Sequence, residues 1–122
     1  MDIQTAVKGY FDTRERLQSQ WDNKDAIADT LFKLATYLTY ISDELGNLKE
    51  QYELQRASKY LNYIKTNSDN KSQNLARTDL ADIKGQIEKL EIMNKSGWSL
   101  VNTGQTRLKN LNDEQRTGGL TT

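Results

Sequence analysis

An unbroken heptad repeat of apolar residues runs through the middle of this 122-residue chain. From Ile27 to Tyr52 the apolar positions alternate at spacings of four and three residues, over roughly three and a half heptads. A repeat of this length is typical of helices that pack along one continuous stripe, as in a coiled coil. We therefore predict a seam in this helix, formed by Ile27, Leu31, Leu34, Leu38, Ile41, Leu45 and Leu48.

The absence of proline extends the helical prediction to most of the chain. Average usage of about 5% predicts roughly six prolines in this length, and proline breaks the interior of a helix. The chain is 35% hydrophobic and 28% charged, which suits amphipathic helices that need apolar residues on one stripe only. We predict an all-α protein.

Apolar periodicity divides residues 1–112 into three helices of one domain. The helices are predicted at about residues 2–21, 25–65 and 75–112, with residues 113–122 as a flexible tail. Asp2 is a plausible cap for the first helix, and Asn23 or Asp25 for the second. The wholly polar stretch 66–74 is expected to form the tip of a long antiparallel helical hairpin, with the first helix packed beside it.

The heptad positions of the third helix are mostly apolar, but three positions in its middle are small or polar. The first apolar positions are Leu80, Ile83, Ile87 and Leu90, which we assign to the same seam. Asn94, Gly97 and Gly104 take later positions. Either the helix continues and its small residues let a neighbouring helix come close, or it breaks near residues 94–97. A glycine costs a helix only about 1 kcal/mol, so both interpretations stay open.

A hairpin only two helices thick leaves its flanks exposed to water. The first helix, other copies of the chain, or both must therefore cover the seam. We favour a homo-oligomeric helical bundle, with a monomeric three-helix bundle as the alternative. After Tyr52 the apolar stripe rotates to Leu54, Ala57, Leu61 and Ile64, which would let the far end of the helix meet a different neighbour.

The residue types exclude most catalytic and metal chemistry. The chain has no Cys and no His, so it lacks thiol nucleophiles, zinc thiolates and the commonest general base. We predict no enzyme activity, no catalytic residues, no metal and no cofactor. No apolar run approaches the roughly 20 residues of a membrane span, and the N-terminus lacks a signal-peptide core. We therefore expect no membrane association and a cytoplasmic location, which is the host cytoplasm if the protein is viral.

The net charge of zero conceals an uneven distribution. Residues 1–50 carry six basic and nine acidic side chains, whereas residues 51–122 carry 11 basic and eight acidic ones. Within residues 54–77, Asp69 is the only acid, and cations there alternate with aromatic residues. Cations beside aromatic rings suit the phosphates and bases of a single strand. The candidate nucleic-acid contacts are Arg56, Lys59, Tyr60, Tyr63, Lys65, Lys71 and Arg77. Tyrosines at this spacing also occur as core contacts, and basic runs as plain solvated faces.

The order of these features resembles the short coiled-coil proteins of tailed phages. The heptad helix passes through residues 52–60 (YELQRASKY) and a polar tip into an acidic and basic helix at residues 80–91 (LADIKGQIEKLE). More loosely, the layout of residues 30–112 is similar to the UvsY-type recombination mediators of T-even-like phages. That resemblance implies a small helical oligomer that binds single-stranded DNA and helps to load a recombinase. It also implies phosphate contacts at Arg56, Lys59, Lys65, Lys71 and Arg77.

Two functions follow from these observations. The first is a non-catalytic accessory protein that binds single-stranded DNA or assists recombination or replication proteins. The second is a protein-interaction module, such as a phage inhibitor of a host factor, an adaptor or a virion component, that acts through its coiled-coil surface.

Overall fold

A computed structural model describes the backbone of residues 1–121 and the side chains of residues 1–116. Four α-helices account for 90% of the chain, and the described residues include no strand. The helices are α1 (Ile3–Ser19), α2 (Lys24–Tyr63), α3 (Asp69–Asp79) and α4 (Ala81–Thr121). Long helices packed against each other confirm the predicted all-α hairpin fold.

Short polar side chains begin three of the helices. The Asp2 carboxylate accepts a hydrogen bond from the Thr5 backbone N–H at 2.7 Å and caps α1, as predicted. Asn23 accepts from the backbone N–H of Ala26 at 3.1 Å at the start of α2. Ser68 accepts from the backbone N–H of Lys71 at 3.3 Å and caps α3. Each cap satisfies an N–H group that has no partner inside its own helix.

The helix boundaries depart from the sequence prediction at both ends of the third predicted helix. Most of the polar stretch 66–74 is helical, because α3 begins at Asp69 behind its Ser68 cap. The helix is then interrupted at Leu80, whose backbone N–H bonds back to Arg77 and Thr78 before α4 begins. α4 runs beyond residue 112 to Thr121. Flexibility of residues 113–122 stays a prediction, and Thr122 lies outside the described residues.

The chain divides into two compact units. The first contains Met1–Ile41 and Met93–Thr122, and the second contains Ser42–Ile92. Because α2 and α4 are long, each contributes one part to the first unit and another part to the second.

The first unit is a three-helix bundle of α1, the beginning of α2 and the later part of α4. Its buried hydrophobic residues are Ala6, Tyr10, Leu17, Ile27, Leu31, Leu34, Leu38, Ile41, Val101 and Leu111. Five seam residues of α2 are among them, none more than 6% exposed. The seam is therefore filled within a single chain here, and self-association through it stays a prediction.

Small residues of α4 let its neighbours approach closely in this unit. A Cβ atom added at Gly97 would overlap a methyl group of Leu38 and lie 3.0 Å from the Tyr10 ring. A Cβ atom at Gly104 would lie 2.5 Å from a Leu31 methyl group. The helix is unbroken through both positions. Of the two interpretations of this segment, the continuous helix with close packing is therefore correct.

Arg107 of α4 forms hydrogen bonds with the connection between α1 and α2. Its guanidinium donates to the Trp21 carbonyl at 3.0 Å and to the Asp22 carboxylate at 2.7 Å. These bonds satisfy a carbonyl group left unpaired near the end of α1. Arg107 therefore has an internal structural role in the first unit.

The second unit consists of the later part of α2, α3 and the beginning of α4. Leu45, Ala76, Leu80, Ile87 and Leu90 are buried in it. The predicted seam residues Leu48 and Ile83 are half-buried. Lys49 and Glu91 pair at 3.3 Å across the helices.

Ser72 of α3 is an uncompensated polar group in the core of the second unit. It is fully buried, and its hydroxyl has no hydrogen-bond partner among the described residues.

Replacing Ser72 by Ala removes this hydroxyl and adds helix propensity, so we expect a stabilisation of about 1 kcal/mol. A thermal melt followed by circular dichroism should show a rise of about 3–5 °C. The exposed Ser96→Ala, which tests helix propensity alone, should raise the melting temperature less. A loss of stability in Ser72→Ala would show that the hydroxyl is satisfied.

Candidate nucleic-acid interface

Four of the seven candidate nucleic-acid residues lie on α2, and three of these four hold α3 in place. The Tyr60 hydroxyl donates to the Asp69 carboxylate at the start of α3. At the other end, the Tyr63 hydroxyl donates to Asp79 at 2.5 Å, and the Lys59 ammonium lies 3.6 Å from the same carboxylate. Both tyrosines are half-buried. Their hydroxyls are therefore committed to the packing of α3, as in the core-contact interpretation of these residues.

These hydrogen bonds change the acidity of both tyrosines. Hydrogen bonding to Asp69, with a smaller effect of burial, raises the pKa of Tyr60. Hydrogen bonding to Asp79 raises the pKa of Tyr63 in the same way. A neighbouring carboxylate favours the neutral, donating form of a phenol, so both hydroxyls stay protonated at neutral pH.

Arg56, the fourth of these residues, is paired within its own helix. Its guanidinium donates to Glu53, one turn earlier, at 2.9 Å. This hydrogen bond raises the pKa of Arg56. An exposed pair of this kind is weak, so the guanidinium can exchange Glu53 for another anion at small cost.

The other three candidates, Lys65, Lys71 and Arg77, are exposed. None of them forms a salt bridge with another residue in the described part of the chain. Lys65 lies in the connection between α2 and α3, whereas Lys71 and Arg77 lie on α3 itself. The structure therefore separates the seven candidates into residues that hold α3 and cations available to a ligand.

Lys71 and Arg77 belong to a face of α3 that carries no carboxylate. We call it the α3 outer face, and its exposed residues are Asn70, Lys71, Asn74, Arg77 and Thr78. Both acids of α3 lie away from this face, because Asp69 and Asp79 accept hydrogen bonds from α2. Cations, amides and hydroxyls are the side chains that most often contact phosphate and sugar.

The sequence analysis did not identify Asp69 and Asp79 as the residues through which α3 is hydrogen-bonded to α2. It also did not identify the amides of the α3 outer face. It placed residues 69–74 in a loop, so neither the anchoring ends of α3 nor its outer face was defined. Asn70, Asn74 and Arg77 recur at spacings of four and three residues. That spacing is the available signal of a shared helical face.

The described residues show neither a metal-binding cluster nor a membrane-spanning helix. Among these residues, no group of three or more acidic side chains is arranged to hold a metal ion. No described helix combines the length and apolar character that crossing a membrane requires.

No protein-family model, curated protein or solved structure matches this chain. The similarity to UvsY-type mediators therefore stays a hypothesis based on the layout of the sequence.

Proposed function

We propose that this protein is a non-catalytic helical accessory protein that binds single-stranded DNA through the α3 outer face. The observation that carries the proposal is the orientation of α3. Its two carboxylates accept hydrogen bonds from α2, while Lys71 and Arg77 are exposed on the other side without a salt bridge. A role in phage recombination or replication rests on the resemblance of the sequence layout.

Electrostatic contact with phosphate is the mechanism that this face favours. Each cation that neutralises a phosphate releases a counterion, and this release drives binding at low salt. The amides of Asn70 and Asn74 add donors that position a sugar–phosphate backbone without reading its sequence. Because Tyr60 and Tyr63 are half-buried against α3, base stacking on their rings is not part of the proposed mechanism. We expect weak binding with little sequence preference.

Reversing both charges of the α3 outer face tests this proposal. In fluorescence anisotropy with a labelled oligo-dT strand, Lys71→Glu/Arg77→Glu is expected to weaken binding at least about tenfold at low salt. Losing two phosphate contacts should also reduce the slope of log affinity against log salt by roughly 1.4.

The matched control is Lys95→Glu/Lys109→Glu, which reverses two exposed charges on α4. It changes the net charge equally and should retain most of the affinity. An equal loss in the two double variants would point to a general charge effect and contradict a site on α3. Absence of any oligo-dT binding by the wild-type protein at low salt would overturn the proposed function.

The second candidate function is a protein-interaction module. A specific observation favours it, because the stripe formed by Leu54, Ala57, Leu61 and Ile64 is exposed at the end of α2 and in the first residue after it. Contiguous apolar residues on the surface often mark protein contacts.

A further inference from the structure

The rotated stripe, which runs along the end of α2 to Ile64 in the turn that follows, is uncovered in a single chain. Leu54 is 65% exposed and Leu61 is 62% exposed, and Ala57 and Ile64 are exposed as well. The opposite side of the same helix segment holds Tyr63 and Tyr52, which contact α3 and α4. This helix segment therefore has apolar residues on two opposite sides. One side is covered by α3 and α4, and the other is exposed to water.

The charges next to the stripe are arranged symmetrically about its centre. Glu50 lies four residues before Leu54, and Lys65 lies four residues after Leu61. Both are exposed, and neither forms a salt bridge in the part of the chain that the structure describes. At 100° per residue, Glu50, Leu54 and Leu61 lie on one side of α2. Lys65 lies in the turn that follows α2 and lines the same surface depression as Ser58 and Leu61. The midpoint of this group falls between Ala57 and Ser58.

Two copies of this surface have complementary charges in only one relative orientation. If two copies of α2 pack antiparallel about that midpoint, Leu54 of each copy meets Leu61 of the other. Glu50 of each copy then faces Lys65 of the other, which gives two ion pairs related by the twofold axis. A parallel arrangement would bring Glu50 against Glu50 and Lys65 against Lys65, and like charges would repel.

Small side chains at the midpoint allow the two helices to approach. Ala57 and Ser58 are both exposed and would face each other across the axis. Small residues at a helix crossing bring the backbones close and let the flanking leucines interdigitate. The helical part of the contact, from Glu50 to Tyr63, spans only about 20 Å. The contact is therefore small by the standards of stable interfaces and implies weak association.

We propose that the exposed stripe of α2 binds a second copy of this chain as an antiparallel, twofold-symmetric dimer. The contact is formed by Glu50, Leu54, Ala57, Ser58, Leu61 and Lys65. This surface differs from the seam of the first unit, which is filled within one chain.

Mass measured over a range of concentrations tests for the dimer. Sedimentation equilibrium from about 10 µM to about 1 mM should show the mass rising from 14.0 kDa toward twice that value. Leu61→Asp places a charge in both halves of the contact and should weaken association at least about 100-fold. Because Leu61 is exposed in the single chain, its helicity should not change.

The control for Leu61→Asp is Phe32→Asp, at a residue of the same helix that is 75% exposed. It makes a similar apolar-to-acidic change outside the stripe and should leave the association unchanged. A mass of one chain at every concentration would overturn the proposal. Equal loss of association in both variants would also overturn it, because the stripe would not be the contact.

Exchanging the two charges separates a second copy from any other partner. Glu50→Lys alone and Lys65→Glu alone should each weaken the dimer about fivefold to tenfold, because like charges then face each other twice. The double variant Glu50→Lys/Lys65→Glu restores both pairs with reversed sign and should recover wild-type association. A double variant as weak as the single ones would overturn the antiparallel register. Single-strand binding by the α3 outer face is measured independently, so either proposal can fail alone.

Discussion

Leu38→Asp is expected to unfold the first unit. Leu38 is fully buried, and its methyl groups pack against Gly97 of α4. Truncating a buried leucine costs about 2–5 kcal/mol, and an unpaired carboxylate in the same place adds a further desolvation penalty. The total loss of about 5 kcal/mol or more is comparable with the whole stability of a small domain. Circular dichroism during thermal melting should show a strongly lowered or absent transition.

Phe32→Asp on the same helix is the control for this effect. Phe32 is 75% exposed, so its replacement removes little buried surface and leaves the new carboxylate in water. We expect it to change the free energy of unfolding by no more than about 0.5 kcal/mol. A melting profile of Leu38→Asp that matches the wild type would mean that the heptad seam is not the core of the first unit.

The heptad repeat predicted the interior well because it is a local pattern with a direct physical meaning. Apolar residues at spacings of three and four share one helix face, and that face must be covered in water. From Ile27 to Leu45 every predicted seam residue is buried. The Asp2 cap was predictable for the same reason, because its hydrogen bond spans only three residues.

α3 was not predictable from the sequence because contacts with another helix contribute to its stability. Residues 66–74 are rich in Asn, Ser and Asp, which favour turns when they are considered alone. The structure adds hydrogen bonds from Tyr60 and Tyr63 to the two ends of the helix. Such bonds depend on where α2 places its side chains, and sequence spacing does not contain that information.

At the candidate nucleic-acid interface too, sequence spacing did not reveal contacts between helices. Sequence spacing placed Arg56, Lys59, Tyr60 and Tyr63 on one face of a helix but did not reveal what lies against that face. In the structure, Lys59 and both tyrosines reach α3 and its carboxylates. Periodicity therefore identifies residues that point the same way, while burial and pairing depend on the neighbouring helix.

Gly97→Leu is the second substitution for which we expect a large effect. Even a Cβ atom at Gly97 would overlap a Leu38 methyl group and crowd the Tyr10 ring, and both of these side chains are buried. Because both neighbours are buried, they cannot make room by turning into solvent. We expect overpacking to lower the free energy of unfolding by about 3 kcal/mol, measured by urea denaturation.

The matched control is Gly85→Leu, because a Cβ atom at Gly85 would meet nothing within 4 Å. There the same change should stabilise the protein by roughly 0.8 kcal/mol, since leucine is a much better helix former than glycine. Changes of opposite sign in the free energy of unfolding for Gly97→Leu and Gly85→Leu would separate the effect of close packing from that of helix propensity.

Combining Gly97→Leu with Leu38→Ala tests the contact itself. Leu38→Ala alone leaves a cavity and should cost about 2–5 kcal/mol, whereas in the double variant the new leucine can occupy the vacated space. The loss in the double variant should therefore be smaller than the sum of the two single losses, by about 1–3 kcal/mol. Strictly additive losses would contradict the contact, because two residues that share no space do not compensate for each other.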